Sequence, residues 1–392
     1  MKLNSTYKFL FVIKSKFSLA GIYIHIPFCK QRCTYCDFHF STTFESYRQR
    51  MIDAMVREIN HRAITSPFTA KTLYFGGGTP SLLKKEELAI LINAVQTHFG
   101  SSYVECTLES NPDDITIEKV AEWKAMGINR LSIGLQSFKK EDLEWMNRAH
   151  NTQQSYDSVA IAQNGGIDNI TVDLMYGLPA LTDEEWRMHV RTVAQMGVQH
   201  VSAYCLTIEE RTALAQKVSK EEIIPLDEDQ QSRQFEILLE ELAAFGFEQY
   251  EISNFSIPGY ESKHNSSYWS GDHYIGIGPS AHSFSGNTRR WNIANNAIYM
   301  KNVEQSQVWF EEENLTKIDQ FNELVMTGLR TTAGLDMHNL SQLGDLDESF
   351  YAKVNAFEQQ ELIINKDGRL ALTIAGRLQA DYIASELFKV ND

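Results

Sequence analysis

From residue 21 onward, short apolar runs of β character alternate with longer stretches of helical period, and no other feature narrows the fold as far. The runs cover residues 21–27, 72–77, 105–110, 130–136, 169–177 and 200–206. Between the first two, Phe44, Tyr47, Met51, Met55 and Ile59 recur at steps of three and four with charged residues between them, the pattern of a helix with one apolar face. Residues 86–99, 117–126, 183–196 and 228–245 read the same way, each followed soon by glycine, a common helix stop. Strands alternating with helices are the sequence sign of βα units around a parallel sheet. Six such units predict an α/β chain with a partial (β/α)6, TIM-like barrel over residues 21–245.

At 392 residues the chain exceeds one ordinary core, so a smaller second unit is expected. Residues 246–300 break the rhythm with a strand-like run and then a tract rich in Gly, Ser, Asn and aromatics, read as a long irregular segment of the kind that usually carries function. Residues 301–392 return to helical pattern and end as strand, Asp-Gly turn, strand and helix, predicting a mostly helical, winged-helix-like C-terminal domain. Residues 1–20 form a basic extension in which Lys2, Lys8, Lys14 and Lys16 flank an apolar run at 9–13. That run is far short of the ~20 residues needed to span a bilayer.

Composition excludes some functions. With 51 acidic against 36 basic residues and a formal charge of −15, a broad polyanion-binding face is not expected, so nucleic acid is not a predicted partner and a tRNA-modifying role is disfavoured. Five cysteines, three of them within eight residues, argue against a disulfide framework and for a metal site in a reducing, cytoplasmic setting.

Cys29, Cys33 and Cys36 are spaced C-x3-C-x2-C directly after the first strand, where barrels place their chemistry. Three thiolates on one short loop suit three irons of a cubane cluster and leave the fourth open, since a [4Fe–4S] cluster usually takes four cysteines. A structural zinc site is the plainer alternative, but zinc wants a fourth Cys or His. Cys106 and Cys205 stand alone in strand-like runs. On the second strand, Gly76, Gly77, Gly78 and Thr79 form a GGGT turn in which the missing side chains would let backbone approach a ligand closely.

The motif C-x3-C-x-aromatic-C, with Tyr35 as the aromatic, resembles that of the radical S-adenosylmethionine superfamily. The resemblance implies a [4Fe–4S] cluster on the three cysteines and S-adenosylmethionine chelating the open iron, where an electron from the cluster cleaves the sulfonium. It assigns the GGGTP turn to the methionine amino group, and Tyr23, Glu109, Gln136, Arg148 and Asp173 to the rest of that cofactor. Helix caps or rim salt bridges are the bland alternative for each of these polar residues.

Within the superfamily, "YIHIPFCKQRCTYCDFHFS", "ESNPDD", "IGLQSF" and "DLMYGLPA" resemble the coproporphyrinogen dehydrogenase branch over about residues 21–385. That branch holds oxygen-independent coproporphyrinogen III dehydrogenases and HemW-type haem chaperones. Phe38 stands where the dehydrogenase pattern has a further Cys, only some 20 residues precede the first strand, and "HNSSYW" at 264–269 matches the chaperones' HNxxYW. The resemblance therefore implies a haem chaperone whose dehydrogenase activity is lost, with the dehydrogenase as the competing expectation. Its partners would be haem and haem-accepting proteins, at the membrane among other places, and a dimer stays open. His264 is expected as axial haem ligand, with Asn265, Tyr268 and Trp269 beside it. His273 and His282 are competing ligands, and His25 and His39 flank the cluster loop.

Overall fold

The computed structural model describes residues 20–66 and 68–390. The basic extension, apart from Ala20, lies outside the described residues. Strands β1 (Ala20–Ile26), β2 (Ala70–Gly77), β3 (Glu105–Ser110), β4 (Arg130–Gln136), β5 (Ile170–Tyr176) and β6 (His200–Cys205) pair in sequence order and in parallel. Their limits fall within two residues of the expected runs. The crossovers carry α1 (Arg48–Thr65), α2 (Lys85–Phe99), α3 (Ile117–Ala125), α4 (Lys140–Trp145), α5 (Thr152–Asn164), α6 (Asp183–Gln195), α7 (Ala213–Ser219) and α8 (Glu228–Ala244). This is the expected partial (β/α)6 barrel.

Side chains alternate across each strand. One set, Ile22, Ile24, Ile26, Leu73, Phe75, Leu108, Leu131, Ile133, Val172 and Leu174, is buried and belongs to the main hydrophobic core with the helices' Met51, Met55, Leu88, Leu91, Val190 and Leu238. The other set points inward and is largely polar: Tyr23, His25, Thr72, Tyr74, Glu109, Ser132, Asp173 and Ser202. The barrel interior is thus not filled with hydrocarbon, and its C-terminal end stays open.

Two features differ from expectation. Helices α4, α5 and α7 have no counterpart among the predicted segments: α4 and α7 are only six and seven residues long, and the buried face of α5 carries Ser155 and Ser158 beside Val159 and Ala162, which blurs the apolar period. Residues 246–300, expected to be irregular, hold a string of short elements: β7 (Glu248–Glu251), β8 (Asn254–Ser256), α9 (Lys263–Trp269), β9 (Tyr274–Ile277), β10 (His282–Ser285) and β11 (Thr288–Asn292), followed by α10 (Asn296–Glu304) and β12 (Phe310–Asn314). Elements of three to seven residues are too short to show a period, and the turn formers sit between them. They complete a twelve-stranded sheet in the order β12-β11-β10-β9-β1-β2-β3-β4-β5-β6-β8-β7, with β9 parallel to β1.

Helix α11 (Lys317–Arg330) begins the C-terminal unit, with β13 (Leu335–Asp336), α12 (Met337–Ser341), α13 (Glu348–Gln359), the hairpin of β14 (Ile363–Lys366) and β15 (Arg369–Leu372), α14 (Ile374–Arg377) and α15 (Ala380–Glu386). It has its own core, including Phe321, Val325, Leu335, Val354, Leu370 and Ile383. Asp367 and Gly368, both at positive φ, make the hairpin turn read from sequence.

Glu58 of α1 pins the added strands to the barrel. Fully buried, its carboxylate accepts from Gly278 N (2.9 Å), Asn292 Nδ2 (2.7 Å), Tyr299 OH (2.5 Å) and Trp309 Nε1 (3.2 Å). Glu58→Ala strands four buried donors, so a loss of roughly 3–5 kcal/mol is expected, read as a lower thermal unfolding midpoint. A wild-type midpoint would show that these donors find other partners.

Candidate functional site

The loop after β1 is held from both sides. Cys29 N donates to Ser41 O (3.1 Å), Ser41 N to Pro27 O (2.9 Å) and Thr34 N to Met146 O (3.1 Å). His25, projecting from β1, uses Nε2 to bond His39 O (2.8 Å) and Nδ1 to meet Tyr23 OH (3.2 Å). Burial drops the His25 pKa to about 4, so the ring is neutral and one nitrogen donates while the other accepts. His39 in turn bonds Asn296 Oδ1 (2.7 Å). Both flanking histidines therefore brace the loop.

Cys29, Cys33 and Cys36 line one cavity of about 1160 Å³ at the barrel mouth, together with Gly77, Gly78, Thr79, Glu109, Gln136, Arg148 and Asp173. Of the residues assigned by resemblance to S-adenosylmethionine, Tyr23 and Gly76 do not line it. Tyr23 lies below, its ring against Tyr74 and His264. Gly76 is buried, and a Cβ there would come within 2.9 Å of Glu109 Oε1.

The thiols have polar neighbours: Thr79 Oγ1 donates to Cys29 Sγ (3.5 Å) and Arg148 Nη1 to Cys33 Sγ (3.5 Å). Burial pushes Cys29 up to about 11 and Cys36 up to about 12. Cys106 is buried on β3, away from the loop, while Cys205 lines the cavity wall at the end of β6.

Gly77 and Gly78, besides lining the cavity, sit tightly against the protein's own atoms. Gly77 has φ +109°, and a Cβ there would lie 2.6 Å from the His25 ring; one on Gly78 would lie 2.7 Å from Phe28 O. The triplet lets β2 press against the cluster loop, a packing reason that the sequence alone does not reveal.

Two carboxyls face the cavity with few donors. Glu109 accepts from Tyr74 OH (2.9 Å) and Gly77 N (3.1 Å), yet burial and the nearby Asp173 raise it to about 7. Asp173 accepts from Ser132 Oγ (3.2 Å), and burial raises it to about 6. Arg148 Nη2 donates to Asn111 Oδ1 and Gly134 O (both 2.8 Å), but its Nε and the hydroxyl of Ser110, also in the wall, are buried without a partner. Gln136, at φ 66°, marks where β4 bulges against β5. This wall has spare acceptors and donors for a polar ligand.

The HNxxYW residues lie elsewhere, on α9 at the opposite end of the barrel. His264 is buried; its Nδ1 is 2.8 Å from Thr72 Oγ1 and its Nε2 2.9 Å from Tyr268 OH. Its ring stacks on Tyr74 at 5.0 Å, and burial holds its pKa down at about 3. Both ring nitrogens are engaged in the ligand-free protein, so service as the expected axial haem ligand would require His264 to give up one of these contacts. Asn265 N is capped by Ser262 Oγ, Tyr268 meets Tyr274 edge-on, and Arg330 lies over Trp269 at 5.2 Å. Glu105 accepts from Lys263 N and His264 N (2.9 Å each), so α9 plugs the barrel floor. His273 and His282 are exposed, and among the described residues no histidine lines the cavity.

His264→Ala should destabilise the ligand-free protein by about 2–4 kcal/mol, by opening a cavity and stripping partners from Thr72 and Tyr268. Thermal unfolding without haem checks this; an unchanged midpoint would argue against the floor role.

Comparison with known proteins agrees with this architecture. Residues 23–193 match the Radical SAM superfamily model and residues 315–378 the HemN C-terminal domain. The crystal structure of coproporphyrinogen III oxidase (HemN) from Escherichia coli superposes with TM-score 0.81, covering 95% of this chain and 90% of that one at 23% identity, which is a likeness of fold. The heme chaperone HemW of Bacillus subtilis is 34% identical over 92% of this chain and 97% of its own length. HemW of Mycobacterium tuberculosis is 34% identical over 94% of each chain. With identity at that level along nearly the whole chain, the protein belongs to the HemW family of the Radical SAM superfamily.

Proposed function

We propose that this protein is a haem chaperone that binds haem, passes it to acceptor proteins, and carries a [4Fe–4S] cluster on Cys29, Cys33 and Cys36 with S-adenosylmethionine beside it. The observation that carries the cofactor half is the single cavity joining three thiols to a wall of unsatisfied polar groups. When bound, the cluster supplies one-electron chemistry to the sulfonium next to it. The chain's own part is to hold and orient: Thr79 and Arg148 donate to the sulfurs of Cys29 and Cys33, and Glu109 and Asp173 would accept from amino and hydroxyl donors of the cofactor. A carrier role rests on the relatives named as heme chaperones and on Phe38, 68% exposed where the dehydrogenase pattern has cysteine. The reducing chemistry of such a site suits the cytoplasm, and haem acceptors at the membrane would meet the protein there. No described helix is long and apolar enough to cross a membrane.

Changing any one of Cys29, Cys33 or Cys36 to Ala should remove most of the cluster from reconstituted protein, whereas Cys106→Ala and Cys205→Ala should keep it. Iron and sulfide per chain are the readout, and a full cluster in Cys33→Ala would sink the assignment.

Cofactor binding should depend on pH. Glu109 and Asp173 have raised pKa values, about 7 and about 6, so both are partly protonated in the free protein near neutrality. A ligand that donates to them favours the charged form and lowers both values, so binding releases protons and strengthens as pH rises through 6 and 7. Below both values affinity should fall by up to about ten-fold per pH unit for each proton released. Calorimetry at pH 6.5 in buffers of different ionisation enthalpy tests this, and Glu109→Gln should lose most of the proton release. Binding without proton release would reject these two carboxyls as cofactor contacts.

A further inference from the structure

A line of hydrogen bonds joins Cys33 to Cys29 from outside the loop that carries them. Arg148 Nη1 donates to Cys33 Sγ (3.5 Å) and its Nη2 to Asn111 Oδ1 (2.8 Å). Asn111 Nδ2 donates to Thr79 Oγ1 (3.4 Å), and Thr79 Oγ1 donates to Cys29 Sγ (3.5 Å). Asn111, which follows β3 and lines the cavity, sits in the middle of this line, one residue removed from each thiol.

Donor and acceptor rules fix the direction of every proton along it. A guanidinium has donors only, so the amide oxygen of Asn111 must face Arg148 and its NH2 must face Thr79. That NH2 donates and does not accept, so the Thr79 hydroxyl accepts from it and gives its single proton to Cys29. The amide is held in place from behind. Asn111 N donates to Ser81 Oγ (3.2 Å), Asn111 O accepts from Asp114 N (3.0 Å), and Ser81 Oγ donates to Asp114 Oδ2 (2.8 Å). Both Ser81 and Asp114 are buried.

Hydrogen bonds to the sulfurs are among a protein's levers on the potential of an iron–sulfur cluster. The reduced cluster carries one more negative charge than the oxidised one, so a donor aimed at a ligating sulfur favours the reduced form. Resting on the reading of Cys29, Cys33 and Cys36 as cluster ligands, we infer that Asn111 is a positioning residue that sets the cluster's reduction potential, by aiming the Thr79 proton at Cys29 and holding the Arg148 guanidinium on Cys33. An aspartate in its place has the same shape and no NH2. The Thr79 proton then turns from Cys29 to the carboxylate, and the added negative charge disfavours the reduced form further.

The test is a potentiometric titration of the reconstituted protein without S-adenosylmethionine, with the reduced cluster followed by electron paramagnetic resonance. Wild type is compared with Thr79→Ser, Thr79→Val, Asn111→Asp and the Thr79→Val/Asn111→Asp double variant. Thr79→Val keeps the shape and removes the donor, so the reduction equilibrium constant should fall about ten-fold, the loss of one hydrogen bond to a charged group, which is about 59 mV for a one-electron couple. Thr79→Ser should keep the wild-type potential. Asn111→Asp should lower it at least as far as Thr79→Val, and its effect should shrink in the Thr79→Val background, where no hydroxyl is left to turn. A midpoint does not depend on how much protein is loaded, so partial loss of cluster does not alter the comparison. A wild-type potential in Thr79→Val or Asn111→Asp would overturn the inference, and so would shifts that add, by tracing the Asn111→Asp effect to charge alone. Loss of the whole cluster from both single variants would overturn it as well, by making these residues part of cluster assembly. A wild-type chain that holds no reducible cluster would overturn the cluster reading itself and the inference with it.

Discussion

The two-residue alternation along six parallel strands is the constraint on which everything else rests. Each strand must bury one face under helices, so Ile22, Ile24, Leu73, Phe75, Ile133 and Val172 go outward to the helical layer and their neighbours are forced inward. Those inward neighbours are polar, and a buried polar group needs a partner. The two ends of the barrel meet that demand differently. At the floor, Glu105 caps α9, His264 joins Thr72 to Tyr268, and His200 links Thr171 (3.1 Å) to Tyr250 (2.8 Å). At the mouth, Glu109 and Asp173 have raised pKa values and Arg148 Nε has no partner. Unpartnered buried atoms occur at both ends, Arg130 Nε and Trp269 Nε1 among them at the floor, but the raised carboxyls facing a cavity are at the mouth, and that separates the working end from the closed one.

Much of this was legible from the chain alone. The six β runs and their helices carry strong periods because each is long and packs one face, and the three cysteines announce their chemistry by spacing. Helix α5 was hidden because serines occupy part of its buried face. Between 246 and 300 only the first element, β7, was legible as a strand-like run; the others were hidden because each is too short for periodicity and is stabilised by distant partners. Glu58, 220 residues from Gly278, shows the scale of that problem: its four donors converge only in the folded chain.

His264 and the glycine triplet teach a related lesson. A histidine beside Asn, Tyr and Trp offers the same chemistry whether it ligates iron or closes a barrel, and nothing in the sequence announces its contact with Thr72, 192 residues away. The triplet at 76–78 invites a reading in terms of ligand approach, and Gly77 and Gly78 do line the cavity, while a Cβ on either would also meet His25 or Phe28. The inward polar residues had a usable signal in the alternation within each run, such as Ser132, Gly134 and Gln136 between Leu131, Ile133 and Leu135 on β4.

A carrier and an enzyme ask different things of a cavity, and the shape here suits the carrier. An enzyme gains by closing over its substrate and excluding water before the reacting atoms meet. In this protein the inner wall, with its thiols and carboxyls, is recessed, whereas the rim includes Tyr204, Leu378 and Tyr382, which stay roughly half exposed. On the proposed reading, cargo at that rim leaves without the barrel opening, while a ligand on the inner wall lies beneath it. The cavity is continuous, so no layer of protein separates the two positions. Any difference in how the inner ligand favours an occupied or empty rim must act equally in reverse. A cofactor at the cluster and a ligand at the rim would therefore report on each other through contact and field within one cavity, and no conformational relay across the barrel is needed.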